Sequence, residues 1–291
     1  MAISSAGDPD PDGLTEHDER AVRNVVDQLR TTGRLGVAFS GGVDSSVLLA
    51  LAMRALGRDS VLAVLGVSSS LAASERSGAH EVAAILGAEL LELETHEDER
   101  EEYQRNSPDR CFHCRDELFT RISDHVVSTH GLNAVAYGEN ADDVRRVDRP
   151  GARAATLHRV LRPLADADMD KASVRRVARA LALPCADKPA APCLASRVPH
   201  YQRVEPAMLR QIEQAEDALH RLGFSDVRVR HHGDIARIEM AMFDIPRAAS
   251  ESTRAEILDA VRAAGFRFVA VDLAGIQSGA FTLPLVASDR V

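Results

Sequence analysis

The chain has 291 residues, 45% of them hydrophobic, and a formal net charge of −9. That length can bury a substantial core and accommodates two domains. The acidic balance, 4% aromatic content and absence of tryptophan count against a broad nucleic-acid face or a base-stacking platform.

The N-terminal stretch, Met1 to about Asp18, is rich in Asp, Pro, Gly and Ser and reads as a loose tail. Leu35–Phe39 reads as a buried strand. From Asp44 to Leu56 the residues Val47, Leu48, Leu51, Ala52 and Leu56 follow the helical period, and Gly57 stops it. Val61–Val67 reads as a second apolar strand, Glu75–Leu86 as a helix ending at Gly87, and Glu89–Glu94 as a weaker strand. The acidic stretch from Glu92 to Glu102 reads as solvated surface. An amphipathic helix is expected over Arg115–Ser128 and a strand over Asn133–Tyr137. Short apolar strands alternating with helices imply parallel pairing with right-handed crossovers.

Pro184, Pro189, Pro192 and Pro199 then break regular structure. Beyond them the pattern predicts a helix (Glu205–Leu222), two strands (Asp226–His231, Ile235–Met240), a helix (Ser252–Ala264) and a strand (Phe268–Leu273). The fold class is therefore α/β with a parallel sheet, followed by a smaller α+β domain. The expected division is a tail over 1–18, a nucleotide domain over 19–190, and a connector with a small domain over 191–291. No apolar run is long enough to span a bilayer and no signal-peptide core is evident, so no membrane association and a cytoplasmic location are expected.

Ser40-Gly41-Gly42-Val43-Asp44-Ser45-Ser46 falls between the first strand and the first amphipathic helix. Glycines allow a sharp turn with inward N–H groups, the serines add hydroxyls, and the helix adds its positive end. Together they make a cradle for a phosphate, placed where open α/β sheets bind ligands. It is not a Walker A loop, since G-x-x-x-x-G-K-[ST] is missing. The plain alternative is a Gly-Ser turn capping a helix. The segment resembles the pyrophosphate loop of the PP-loop ATP pyrophosphatases, which cleave ATP to AMP and pyrophosphate.

Four cysteines, Cys111, Cys114, Cys185 and Cys193, are too few for a secreted disulfide scaffold. Cys111-x-x-Cys114 has the spacing of two thiolates on one metal, but the motif alone is shared by zinc, dithiol and iron–sulfur sites. Arg110 and a nearby helix start would favour thiolate. Cys193 stands in the proline-rich connector with Arg197 close behind. If the connector folds back, three cysteines converge. Otherwise Cys193 is a small buried hydrophobe. Cys185 reads as a packing or surface thiol. Arg228 and Arg230 alternate with Val227 and Val229, so both guanidiniums share one strand face, suited to a phosphate monoester or to pairing with Glu239. Asp142 and Asp143 follow a strand end and suit a nucleotide, a metal, the substrate or a helix cap.

Taken together, Asp109-Arg-Cys-Phe-His-Cys114, Gly138-Glu-Asn-Ala-Asp-Asp143, Asp187-Lys-Pro-Ala190, Cys193-Leu-Ala-Ser-Arg197, Arg228-Val-Arg230 and Ala236-Arg-Ile-Glu239 resemble the LarE family in identity and order. The resemblance runs from about Leu35 to Ala280. LarE proteins make the nickel-pincer nucleotide of lactate racemase. They adenylate a carboxylate of pyridinium-3,5-biscarboxylic acid mononucleotide, release pyrophosphate and install sulfur as a thiocarboxylate. Some members sacrifice the sulfur of the cysteine matching Cys193. Others hold a [4Fe–4S] cluster on three cysteines, and Cys111, Cys114 and Cys193 resemble that type.

The resemblance implies ATP at Ser40, Gly41, Gly42, Asp44, Ser45 and Ser46, with Asp44 also a Mg2+ ligand. It implies catalysis by Cys193 with Arg197 and Asp44, and substrate or phosphate contacts at Arg228, Arg230, Asp142 and Asp143. It also implies sulfide or a cysteine desulfurase as sulfur source, and a homo-oligomer. Lys171 and Arg175 match positions that touch phosphate in other PP-loop enzymes, although a solvated helix face is their default reading. A tRNA-thiolating enzyme, an amide-forming ligase and a non-catalytic nucleotide sensor are the competing expectations. The last two leave the cysteines without a purpose.

Overall fold

A helix not anticipated from the sequence comes first. In the computed structural model, which describes residues 13–146 and 150–277, α1 spans Glu16–Leu29. The Thr15 hydroxyl accepts from the Asp18 amide at 3.1 Å, and the Asp18 carboxylate accepts from the Thr15 amide at 2.9 Å. This reciprocal cap satisfies donors that a helix start leaves open. The stretch read as a tail thus includes the start of a helix, while residues 1–12 lie outside the described residues.

The chain continues through β1 (Leu35–Ala38), α2 (Val43–Leu56), β2 (Val61–Val67), α3 (Ala73–Leu86) and β3 (Glu89–Glu94). After these come α4 (Glu101–Gln104), α5 (Arg110–Arg121), β4 (Ala134–Tyr137), α6 (Ala141–Arg145), α7 (Gly151–Leu157), α8 (Pro163–Asp166) and α9 (Lys171–Ala180). The first four strands form a parallel sheet in the order β3-β2-β1-β4. β2 is an unbroken apolar run because both sheet faces are covered. Val61, Ala63 and Leu65 pack in the layer formed by α1, α2, α3 and α9, whereas Leu62 and Val64 pack against Phe119 of α5 and Ala154 of α7. The chain passes from β1 to β2 on one side and returns as β4 on the other. β1 is therefore the switch point where such sheets open a crevice.

α5 begins five residues before the expected helix, at Arg110, which puts Cys111 and Cys114 on its first turn. After Arg121 it widens into a π-helical turn over Ile122–Val127. The proline-rich connector ends in a 3-10 turn, Leu194–Arg197.

The second unit contains α10 (Pro206–Arg221), β5 (Val227–His232), β6 (Ile235–Met240), α11 (Ile245–Ala249), α12 (Glu251–Ala263) and β7 (Phe268–Val271). β5 and β6 pair antiparallel and β6 and β7 parallel, giving a mixed sheet with its own core around Phe224, Ile238 and Phe266. A small fourth cluster joins the units: Tyr103 packs with Leu194, Ala195, Val198, Leu209 and Ile212, with Cys114 against them. Among the described residues no helix is long and apolar enough to cross a membrane.

Candidate active site

Gly41 has φ +70°, and a Cβ there would lie 2.7 Å from the Ala79 Cα of α3. Only glycine fits both the conformation and the space. Gly42 caps α2 without a side-chain bond. The Ser45 and Ser46 hydroxyls donate back to the Gly42 carbonyl at 3.0 and 2.8 Å, and the Ser40 and Ser45 oxygens lie 3.2 Å apart. Ser40 is exposed, while Ser45 and Ser46 are buried. The loop is thus closed on itself by its own serines, with its turn directed to the sheet crevice.

β4 meets this loop directly. A Cβ at Gly138 would fall 2.7 Å from the Ser45 amide nitrogen. The buried Asn140 then performs two tasks: its Oδ1 accepts from the Asp143 amide at 3.1 Å, capping α6, and its Nδ2 donates to Asp44 Oδ1 at 2.9 Å. Asp142 Oδ2 accepts from the Lys171 amide at 2.9 Å. The Lys171 ammonium donates to Asp44 Oδ2. Lys171 is therefore tied to the loop's carboxylate rather than lying on a solvated face. From the sequence Asn140 carries no role of its own, although an Asn before Ala-Asp-Asp is a cap signal.

The cysteine segments meet beyond the end of β2, where the Leu194 amide donates to the Ser70 carbonyl at 3.0 Å. Asn106, fully buried at φ +54°, donates through Nδ2 to the carbonyls of Val198 (3.2 Å), Pro199 (2.7 Å) and Gln202 (3.1 Å). Arg110 donates to Asn106 Oδ1 and to the Ala195 carbonyl, the latter at 2.8 Å. These bonds staple the first turn of α5 to the turn that follows Cys193. Burial pulls the Arg110 pKa down, but the thiols of Cys193, Cys111 and Cys114 and the Tyr103 phenol outweigh it and leave the pKa raised. Burial, then Glu97 and the other two cysteines, push the Cys114 thiol up, against Arg115. The segments that carry the three cysteines are held side by side by the bonds of Asn106 and Arg110. Cys111 and Cys193 are exposed, Cys114 is half-buried, and Cys185 lies in the main core. Among the described residues no group of three or more His, Cys, Asp or Glu side chains is spaced to hold a metal ion.

Glu97 enters this neighbourhood unanticipated. It lies in the acidic stretch read as solvated surface, yet it is 2% exposed. Ser68 and Ser70 donate to its Oε1 at 2.6 and 3.1 Å, and the Cys114 Sγ lies 3.9 Å from the same oxygen. Its Oε2 is buried without a hydrogen-bond partner among the described residues.

The arginines form the third side. Arg197 is buried and bidentate to Glu216 at 2.9 and 3.0 Å, and it also donates to the carbonyls of Pro192 and Cys193 at 2.5 and 3.3 Å. Its guanidinium holds the backbone of the Cys193 turn. Arg228 and Arg230 do share one face of β5, but that face is buried. Arg230 donates to Glu239 Oε2 at 2.7 Å and to the Ser196 carbonyl at 2.9 Å. Among the described residues Arg228 makes only long bonds, to the carbonyls of Ala190 (3.3 Å) and Gln277 (3.5 Å). Burial, then Arg197 and Arg230 beside it, pull the Arg228 pKa down. Arg197 and Arg230 are each matched by a glutamate, so of the three guanidiniums beside the cysteine turn Arg228, bonded among the described residues to carbonyls, is the one that suits an anion. Glu213 accepts from the Ala73 amide at 2.6 Å, and Asp272 pairs with Arg237.

Comparison with known proteins agrees with this construction. The asparagine synthase family model matches residues 17–242. An uncharacterized protein of Synechocystis is 36% identical over 90% of this chain and 96% of its own length. Pyridinium-3,5-bisthiocarboxylic acid mononucleotide synthase of Lactiplantibacillus plantarum is 33% identical over 88% of this chain and 91% of its own. An uncharacterized protein of Methanocaldococcus jannaschii is 25% identical over 87% and 94%. With the PP-loop at the switch point of a parallel sheet and these matches along nearly its whole described length, the chain belongs to the LarE family of PP-loop enzymes and is an ATP-dependent sulfurtransferase.

Proposed function

We propose that the enzyme adenylates a carboxylate of pyridinium-3,5-biscarboxylic acid mononucleotide and replaces the activated oxygen with sulfur, giving the thiocarboxylate of a nickel-pincer nucleotide. The observation that carries this reading is the staple of Asn106 and Arg110, which holds the Cys111–Cys114 turn against the Cys193 turn beside the PP-loop sheet. The named Lactiplantibacillus relative supports the choice of substrate.

A carboxylate is a poor electrophile because its oxygen leaves badly. In the first step that oxygen attacks the α-phosphorus of ATP. A P–O bond forms, the bond to pyrophosphate breaks, and an acyl adenylate results. In the second step a sulfur nucleophile attacks the acyl carbon, a C–S bond forms, and the C–O bond to AMP breaks. The protein's contribution is positioning and charge neutralisation. Gly41, Gly42 and the Ser40, Ser45 and Ser46 region receive the β and γ phosphates. Asp44 would hold Mg2+, a role its hard oxygens suit; in this structure the Lys171 ammonium is the cation on the same carboxylate. Asp142 and Asp143 frame the nucleotide end of the crevice. Arg228 and Arg230 receive the substrate phosphate, and Arg197 orients the Cys193 turn.

Cys111, Cys114 and Cys193 are soft thiol donors on two stapled segments; their donor chemistry, though not their spacing in this structure, suits three ligands of a [4Fe–4S] cluster, which when bound would carry the transferable sulfide. Sulfide, or the persulfide sulfur of a cysteine desulfurase together with a two-electron thiol reductant, would replenish it. The nucleotide domain is assigned to 19–190 and the substrate and oligomerisation domain to 191–291, acting as a homo-oligomer.

Anaerobically isolated protein should contain about four irons and four sulfides per chain and lose them in Cys193→Ala. The same variant should still release pyrophosphate when given ATP and the biscarboxylic substrate, but form no thiocarboxylate. Pyrophosphate release that does not depend on that substrate would overturn the reading. Metal-free protein that forms product while Cys193 loses its sulfur, detected by mass, would replace the cluster with a sacrificial cysteine.

A further inference from the structure

We propose that Lys171 is a built-in counter-cation that occupies the Asp44 metal position in the nucleotide-free enzyme, so that the divalent metal enters only together with ATP. Lys171 is the first residue of α9, and its ammonium donates to Asp44 Oδ2 while Asn140 Nδ2 donates to Oδ1 at 2.9 Å. Both oxygens of the loop carboxylate are thereby engaged. The bond from the Lys171 amide to Asp142 Oδ2, 2.9 Å long, fixes the start of the helix beneath it.

Helix energetics do not account for a lysine here. A cation at a first helical position faces the positive end of the dipole, and α2 turns its own N-terminus toward the same carboxylate. Among the described residues, Asp44 is the carboxylate that pairs with the ammonium. The pair is also exchangeable: the Lys171 and Asp44 side chains are 38% and 20% exposed.

Charge decides what can replace the ammonium. The Asp44–Lys171 pair is neutral. A bare divalent metal on Asp44 would add two positive charges beside two helix N-termini and the displaced ammonium. A metal arriving with a triphosphate brings its own anion, and the released ammonium then faces phosphate oxygens. Lys171 is thus a positioning residue that couples metal entry to nucleotide entry. This rests on Asp44 as the metal ligand, but not on the identity of the acyl substrate or on the cysteine chemistry.

The test is Mn2+ binding to the full chain without nucleotide, followed by the paramagnetic resonance signal of free Mn2+. Lys171→Met and Lys171→Gln should bind Mn2+ about tenfold or more tightly than the wild type. Adding Asp44→Asn to Lys171→Met should erase the gain. With α,β-methylene-ATP present, the wild type should take up Mn2+. Equal Mn2+ affinity of the nucleotide-free wild type and both Lys171 variants would overturn the proposal. Failure of the wild type to take up Mn2+ with the analogue would remove the metal role of Asp44 and the proposal with it. Absence of thiocarboxylate formation alone would count only against the substrate reading.

Discussion

Individual residues decide how the PP-loop is built. Gly41 combines a left-handed backbone with contact against Ala79, so its replacement is penalised twice. Gly41→Ala should lower stability by about 1–3 kcal/mol in urea unfolding and abolish ATP binding measured by calorimetry. The glycine pair and the serines were legible because a phosphate cradle after a strand needs those residue types. The Lys171–Asp44 pair was not legible, since the two residues are far apart in sequence and nothing in a helix start announces a distant carboxylate. Glu97 was misplaced for a related reason. It lies in a run of acids that reads as solvated surface, but Ser68 and Ser70 at the end of β2 supply the donors that let this one acid be buried.

Elements bring the cysteine-bearing segments together. α5 carries Cys111 and Cys114, and the approach of the Cys193 turn to it depends on Asn106 and Arg110, which bond to carbonyls of the turn after Cys193. Asn106→Ala would leave three carbonyls without their donor. We expect a loss of about 1–3 kcal/mol in stability, together with faster alkylation of Cys193 by iodoacetamide, read by mass spectrometry. Unchanged alkylation would show that the staple does not restrain the cysteine turn. The expected helix started at Arg115 because hydrophobic periodicity begins only there. The earlier turn is polar and is held by tertiary bonds, so local pattern could not reveal it. The alternation that placed Arg228 and Arg230 on one face was correct, but the burial of that face depends on the connector and on Glu216 and Glu239 across it.

For the whole molecule, α1 ties the beginning of the described chain to α9. Asp18 is fully buried with Arg176 donating at 2.7 and 2.8 Å. Burial alone would raise its pKa, but the bonds from Arg176, Ser173 and Thr15 outweigh this and hold it well below the usual carboxylate range. A carboxylate depressed in the folded state adds stability above its unfolded pKa of about 3.9, and loses it as the pH falls through the folded value. Asp18→Asn should therefore be less stable than the wild type at pH 7. The difference in thermal midpoint should shrink below about pH 4, whereas a gap independent of pH would show that Asp18 acts by packing.

The parallel sheet, the small α+β unit and the phosphate loop could be read from sequence, because strand and helix periodicity and glycine requirements are local properties of the chain. The six motifs that resemble the LarE family were legible for the same reason. What only the tertiary structure decided is which distant groups neutralise one another: Lys171 with Asp44, Arg197 with Glu216, Asn106 with the Cys193 turn. Those pairings depend on burial, which removes water and makes each unmatched charge or donor costly, and burial is a property of the folded molecule rather than of any segment.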